Sequence, residues 1–180
     1  TPPVLRRELL ARLGRLPEAE RALARAASIF GSGAELHQAA TAAGLKLEDA
    51  RLAADELVGR DILSAGNRLD FTHPIVKDSI RAEIPPAELA GLHLKAAQSL
   101  AADGASSQQV AVHLIHATAG RDPWVVDTLC EAAAGARARG APESASACLE
   151  RALREGGGLQ RRGEIMFQLG LAEATVGEAR

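Results

Sequence analysis

Aromatic side chains are almost absent: the 180-residue chain has three Phe, one Trp and no Tyr. A core built around large rings is excluded, and 38 alanines point instead to closely packed helices. Cysteine is equally scarce. Cys130 and Cys148 lie 18 apart in helical patterns, and Thr1-Pro2-Pro3 is not a signal-peptide n-region, so both read as reduced core thiols of a cytosolic protein. No stretch nears the ~18 uninterrupted apolar residues of a membrane helix, so no membrane contact is expected. An excess of one charge is missing too. Residues 1–84 carry 12 of each sign and the rest carry 9 basic against 11 acidic, so no half is built to hold nucleic acid by charge alone. Lysine is limited to Lys46, Lys77 and Lys95 against 18 Arg, which together with the alanine content points to GC-rich coding.

Chemical motifs are lacking as well. No G-x-x-x-x-G-K-[ST] occurs, so phosphates are not cradled here in that manner. Ser32, Ser64 and Ser79 have no G-x-S-x-G setting, and no carboxylate pair is flanked by chemistry-like residues. No catalytic residue is assigned, and the chain is not expected to be an enzyme.

What is present is helical period. Leu5, Leu9, Leu10 and Leu13 make one apolar stripe closed by Gly14, and a second helix is expected over Pro17–Phe30 with Ala22, Leu23, Ala26, Ala27 and Phe30 inward. A short helix over Ala34–Ala43 stops at Gly44. Leu47-Glu48-Asp49 starts the next with acidic residues in its first turn, where the helix dipole favours them, and Leu52, Ala53, Leu57 and Val58 continue its stripe to Gly59. The period then changes: Ile62-Leu63-Ser64, a turn at Ala65–Arg68 and Leu69-Asp70-Phe71 read as a small β-hairpin. Three helices and a hairpin are the layout of a winged helix, with 47–60 in the position that reads DNA.

His73-Pro74 opens a further helix through Ile80, and Pro85-Pro86 marks the expected domain boundary near residue 85. Beyond it, helices are expected over Glu88–Ala102, Ser107–Ala119 (Val110, Val112, Leu114 and Ile115 inward), Trp124–Ala138, Pro142–Leu153 and Glu164–Val176. Gly140 and Gly177 each follow an Ala/Leu helix at a 37-residue separation, a period that fits helix-turn-helix repeats. Leu129, Ala132, Ala133, Ala136, Gly140, Ala145, Leu149 and Ala152 occupy positions of the tetratricopeptide template, and Leu169, Gly170 and Gly177 do the same in the next unit. Such units bury their faces only by stacking, so the chain is expected to belong to a longer array. The expected class is therefore mainly α, a winged helix over 17–84 followed by tetratricopeptide-like antiparallel helix pairs over 86–180.

The run Phe71-Thr72-His73-Pro74-Ile75-Val76, leading through Ile84-Pro85-Pro86 into an Ala-rich array, resembles the middle of large bacterial LuxR-type transcriptional regulators that carry an ATPase module, the signal-transduction ATPases with numerous domains. Arg12–Pro17, Arg25–Gly31 and Val112–Ala117 add to the resemblance. It implies that residues 1–16 end an ATPase lid segment and that the parent protein binds ATP or ADP and reaches DNA through a C-terminal domain outside this chain. The winged helix would then couple its own ATPase module to repeats that sense an effector or protein partner. The fragment itself is expected to hold no cofactor, and self-association stays open.

By the same resemblance His73 is the histidine that approaches a nucleotide phosphate. An imidazole at the start of a helix can donate to an anion while the helix terminus adds partial positive charge, and the other reading is a hydrogen-bonded packing histidine. His93, His113 and His116 are expected at helix packing edges and His37 on the surface, with no metal site. Residues 46–60 set Lys46, Arg51 and Arg60 against Glu48, Asp49, Asp55 and Glu56, too acidic for a groove-reading helix. Arg6, Arg7, Arg12, Arg15, Arg21 and Arg25 read as a solvated face. Two alternatives stand beside the regulator: a DNA-binding winged helix with a helical dimerisation tail, and a helical scaffold that docks partners.

Overall fold

The structure is a computed structural model that describes residues 13–31, 33–156 and 158–178, with side chains through 174. The helix expected over Leu5–Leu13 lies, up to residue 12, outside the described residues. The chain is mainly helical, with nine helices among the described residues and no regular strand. It forms two compact units that divide between Ala96 and Ala97.

The first unit is organised around α1 (Glu18–Ser28), which packs against α2 (Leu36–Ala43), α3 (Leu47–Gly59) and α4 (Pro74–Ala82). α1 can touch three neighbours because its inward face is small: Leu23, Ala24, Ala26, Ala27 and Ser28 are buried, leaving other helices room to approach. Gly44 ends α2 in the left-handed region at φ 73°, and the Leu45 N–H turns back to the Ala40 carbonyl at 2.9 Å. Buried Ala50, Ala53, Ala54 and Leu57 give α3 a stripe at i, i+3, i+4 and i+7. Leu52 falls off that stripe and is 68% exposed, against the expectation that it points inward.

After α3 the chain reverses through Asp61 at φ 58° and buries Ile62 and Leu63. The expected hairpin is reduced to isolated antiparallel bridges, Leu63 with Phe71 and Ala34 with Leu69. Ser64 N–H donates to Asp70 O at 2.8 Å and Thr72 N–H to Ile62 O at 3.2 Å, while Leu69 and Ala34 exchange both backbone bonds. The arms are too short for a longer ladder: Asp70 N–H turns back to the Arg68 carbonyl, two residues earlier, at 3.1 Å. α4 begins on Pro74, whose missing N–H costs nothing in a first turn, and buries Val76, Ser79 and Ile80. α5 (Pro86–Ala102) follows Pro85 directly.

In the second unit α6 (Ser107–Leu114) is opened by a capping box in which Ser106 and Gln109 satisfy each other's backbone N–H. It stops at Leu114, short of the expected Ala119, because Ile115–Ala117 tighten into turns and the chain then runs as an irregular loop to Asp122. Its buried face is Val110, Ala111, His113 and Leu114, a helical spacing. Val112, expected inward with Val110 and Leu114, is exposed. α7 (Pro123–Ala138), α8 (Pro142–Glu155) and α9 (Leu159–Glu178) follow, and α6 to α9 pack each on the next. α9 starts earlier than the sequence pattern suggests and continues through Gly177.

Gly33 offers a direct test of the first unit's turn. It holds φ 61°, and a Cβ there would lie 2.6 Å from Asp70 Oδ1, beside the Ala34–Leu69 bridge. Gly33→Ala is expected to destabilise the unit by about 1–3 kcal/mol in urea unfolding followed by far-UV circular dichroism. Gly31→Ala, whose Cβ meets nothing within 4 Å, is the control and shifts stability by less than about 0.5 kcal/mol.

Candidate functional site

His73 is exposed at the N-terminus of α4, with φ −141° and no capping bond from its side chain. Its carbonyl accepts from Val76 N–H at 3.0 Å, so the backbone starts the helix and the ring faces outward. One turn on, Lys77 Nζ donates to the Phe30 carbonyl and, at 2.8 Å, to the Gly31 carbonyl, tying α4 to the end of α1. Burial of the Lys77 ammonium, aided by the nearby Arg81 charge, lowers its pKa against the pull of Asp78 and Asp70. Sequence reasoning missed this lysine, whose only signal was its place between Val76 and Ile80 on a buried face.

A second surface lies where α2 and α3 meet the turn after Ser64. A cavity of about 500 Å³ is lined by Glu35, Leu36, His37, Leu47, Arg51, Asn67 and Arg68. Glu35 links His37 and Arg68, whose Nδ1 and Nη2 each lie 3.5 Å from its carboxylate. These groups can hold a charged or polar partner, and none is set up as a nucleophile beside a base. Along α3 the exposed side chains are Leu47, Glu48, Asp49, Arg51, Leu52, Asp55 and Glu56, four carboxylates with one guanidinium and two leucines. At its far end Arg60 pairs with buried Glu20 of α1 at 3.1 Å.

The second unit contains a built polar centre. Arg151 and Glu155, one turn apart on α8, are both 2% exposed, and their Nη2–Oε1 distance is 2.7 Å. The other carboxylate oxygen of Glu155 accepts from three successive backbone N–H groups: Gly120 at 2.9 Å, Arg121 at 2.5 Å and Asp122 at 3.3 Å. Arg121 sits at φ 59°, which aims the three donors at one point, the geometry of an anion nest. Asp122 then accepts from Trp124 N–H at 2.9 Å and opens α7. Burial raises the Glu155 pKa, but bonds from Arg151 and from the Gly120 and Asp122 amides, with the Arg151 charge, outweigh it and hold the carboxyl below its usual value. Beside this centre a cavity of about 550 Å³ is lined by Arg121, Asp127, Gly156, Gly158 and Arg161 among others. Arg161 reaches Asp127 at 2.7 Å.

Other residues singled out by sequence scatter. His93 and His113 are buried at 2% and 4% exposure, not at packing edges, while His37 and His116 are exposed. Among the described residues no group of three or more His, Cys, Asp or Glu is placed to hold a metal ion. Ser64 donates to the Asp70 carbonyl, Ser79 is buried, and Ser32 lies outside the described residues. Cys130 and Cys148 are free thiols, and burial raises both pKa values, which keeps them protonated. Of the arginine group, Arg21 pairs with Glu18, and Arg25 grips Glu88 at 2.9 and 3.1 Å; Arg6, Arg7 and Arg12 lie outside the described residues. Among the described residues, no helix is long and apolar enough to cross a membrane.

Compared with known proteins, the chain has no matching family model, no matching curated protein and no matching solved structure.

The Glu155 centre yields a prediction with a sign. A carboxyl whose folded pKa is depressed contributes stability above its unfolded pKa, about 4.3, and loses it as pH falls through the lower folded value. Glu155→Gln leaves the Arg151 charge buried without its counter-charge and is expected to cost the unit about 3–5 kcal/mol at neutral pH. Urea unfolding read by Trp124 fluorescence checks this, and the variant should show a shallower loss of stability on acidification than the parent chain.

Proposed function

We propose that this chain is the regulatory middle of an ATP-dependent transcriptional regulator of LuxR type. A winged helix over 17–84 couples a nucleotide module to tetratricopeptide-like helix pairs over 86–180 that sense an effector or partner. The order α1, Ala34, α2, α3, Leu63, turn, Leu69–Phe71, with isolated bridges of Ala34 to Leu69 and Leu63 to Phe71, supports the winged-helix reading. Neighbour-to-neighbour packing of α6 to α9 supports the repeat reading.

The observation that carries the functional part is the outward face of α3. Its four exposed carboxylates repel phosphate, and exposed Leu47 and Leu52 would bury more apolar surface against protein than in a DNA groove. A winged helix with such a face is suited to inter-domain contact. Exposed His73, at a helix start, is free of any capping role and is the residue offered to a nucleotide phosphate in the parent protein. Two states of that contact, biased by nucleotide on one side and effector on the other, make the switch. The parent's DNA contact falls to a C-terminal domain.

Reading the gene through both ends tests the whole: an upstream P-loop and a downstream helix-turn-helix are expected, and absence of both leaves the helical scaffold in front. In fluorescence anisotropy a random duplex should show no binding to this chain at low salt, whereas affinity falling steeply with salt would favour the DNA-binding alternative. In the intact parent, His73→Ala is expected to weaken ADP about tenfold, the loss of one charge-assisted hydrogen bond, and unchanged ADP affinity would remove His73 from the mechanism.

A further inference from the structure

The inner side of α9 is settled by packing, with Ile165 and Ala172 at 1% and 0% exposure. The outer side is apolar and open: Leu159, Met166 and Phe167 are 92%, 59% and 70% exposed. At about 100° per residue, Leu159, Gly163, Met166, Phe167, Gly170 and Ala174 share one stripe about 100° wide. The stripe is symmetric about the midpoint between Met166 and Phe167. Leu159 mirrors Ala174, Gly163 mirrors Gly170, and Met166 mirrors Phe167.

The two glycines have no explanation inside the unit. A Cβ at Gly163 or Gly170 would meet nothing within 4 Å, yet each weakens a helix relative to alanine. Small residues in the middle of an apolar stripe let another backbone come close. The flanking charges are also self-complementary. Arg162 and Glu173 border the stripe on the same side, and in a two-fold antiparallel pair same-side flanks of the two helices adjoin, so Arg162 of one copy meets Glu173 of the other. Their registers differ by two residues, about 3 Å along the axis, within the reach of an arginine.

We propose that this face of α9 docks on the same face of a second copy of the chain, antiparallel and centred between Met166 and Phe167. Gly163 of each copy then lies against Gly170 of the other, with Met166 against Phe167. The inference does not need the proposed function, and it competes with a longer array in which the next helix pair would stack on this face. One helix face is a small interface, so the expected dissociation constant is on the order of 10–100 µM.

Sedimentation equilibrium of the 180-residue chain across that range tests it, with dimers expected at the upper end. Phe167→Glu, at an exposed position where folding is not at stake, should weaken association by about a hundredfold or more. Arg162→Glu and Glu173→Arg should each weaken it about tenfold, and the two together should restore it, because the swapped pair is again self-complementary. A chain monomeric throughout, a dimer indifferent to Phe167→Glu, or a double variant no better than the singles overturns the proposal. So does loss of the dimer when the chain is extended by its next encoded residues, since the face is then covered by its own polypeptide.

Discussion

Alanine is the constraint on which this structure depends. With 38 alanines and four aromatic residues, each buried position removes little apolar surface from water, so helices must approach closely and few large side chains fill what remains. In the first unit this makes α1 a hub that three helices touch. In the second it raises the weight of polar contacts to an unusual degree: the largest fully buried side chain among the described residues is Arg151. A buried guanidinium is tolerable only because Glu155 neutralises it, and Glu155 in turn is held by the loop between α6 and α7.

Most of the helical outline was legible in the sequence because its punctuation is chemical. Pro74, Pro86, Pro123 and Pro142 open helices, and Gly44 and Gly140 close them in left-handed turns. The failures have a common cause. Leu52 and Val112 were placed inward on hydrophobicity, whereas the buried stripe of each helix runs through smaller or polar residues, Ala50, Ala53 and Ala54 in one and Ala111 and His113 in the other. Where alanine supplies much of the core, a leucine can lie on either face: Leu57 and Leu114 are buried while Leu52 is exposed.

The polar centre was missed for the same reason in reverse. Arg151 and Glu155 lie on the stripe with Ala145, Cys148 and Ala152, which a pattern reader takes as charges at the margin of an apolar face. Their register with that stripe was the available signal, but Glu155 is also held by backbone amides 30 residues and more away, and no local pattern encodes those. His73 is different: its place at the start of α4 was readable from Pro74, and its exposure there was not.

The nest around Glu155 uses backbone N–H groups as its donors, and every residue except proline supplies one. Side chains at 120–122 can therefore drift during evolution with little effect on the α6–α7 turn, provided the backbone at 121 can adopt a positive φ and 122 keeps a helix-capping side chain. Position 155 has no such freedom. The turn's shape is stored one helix pair away from the residues that form it, and a family tree of this domain should show variable loops over an unvarying glutamate.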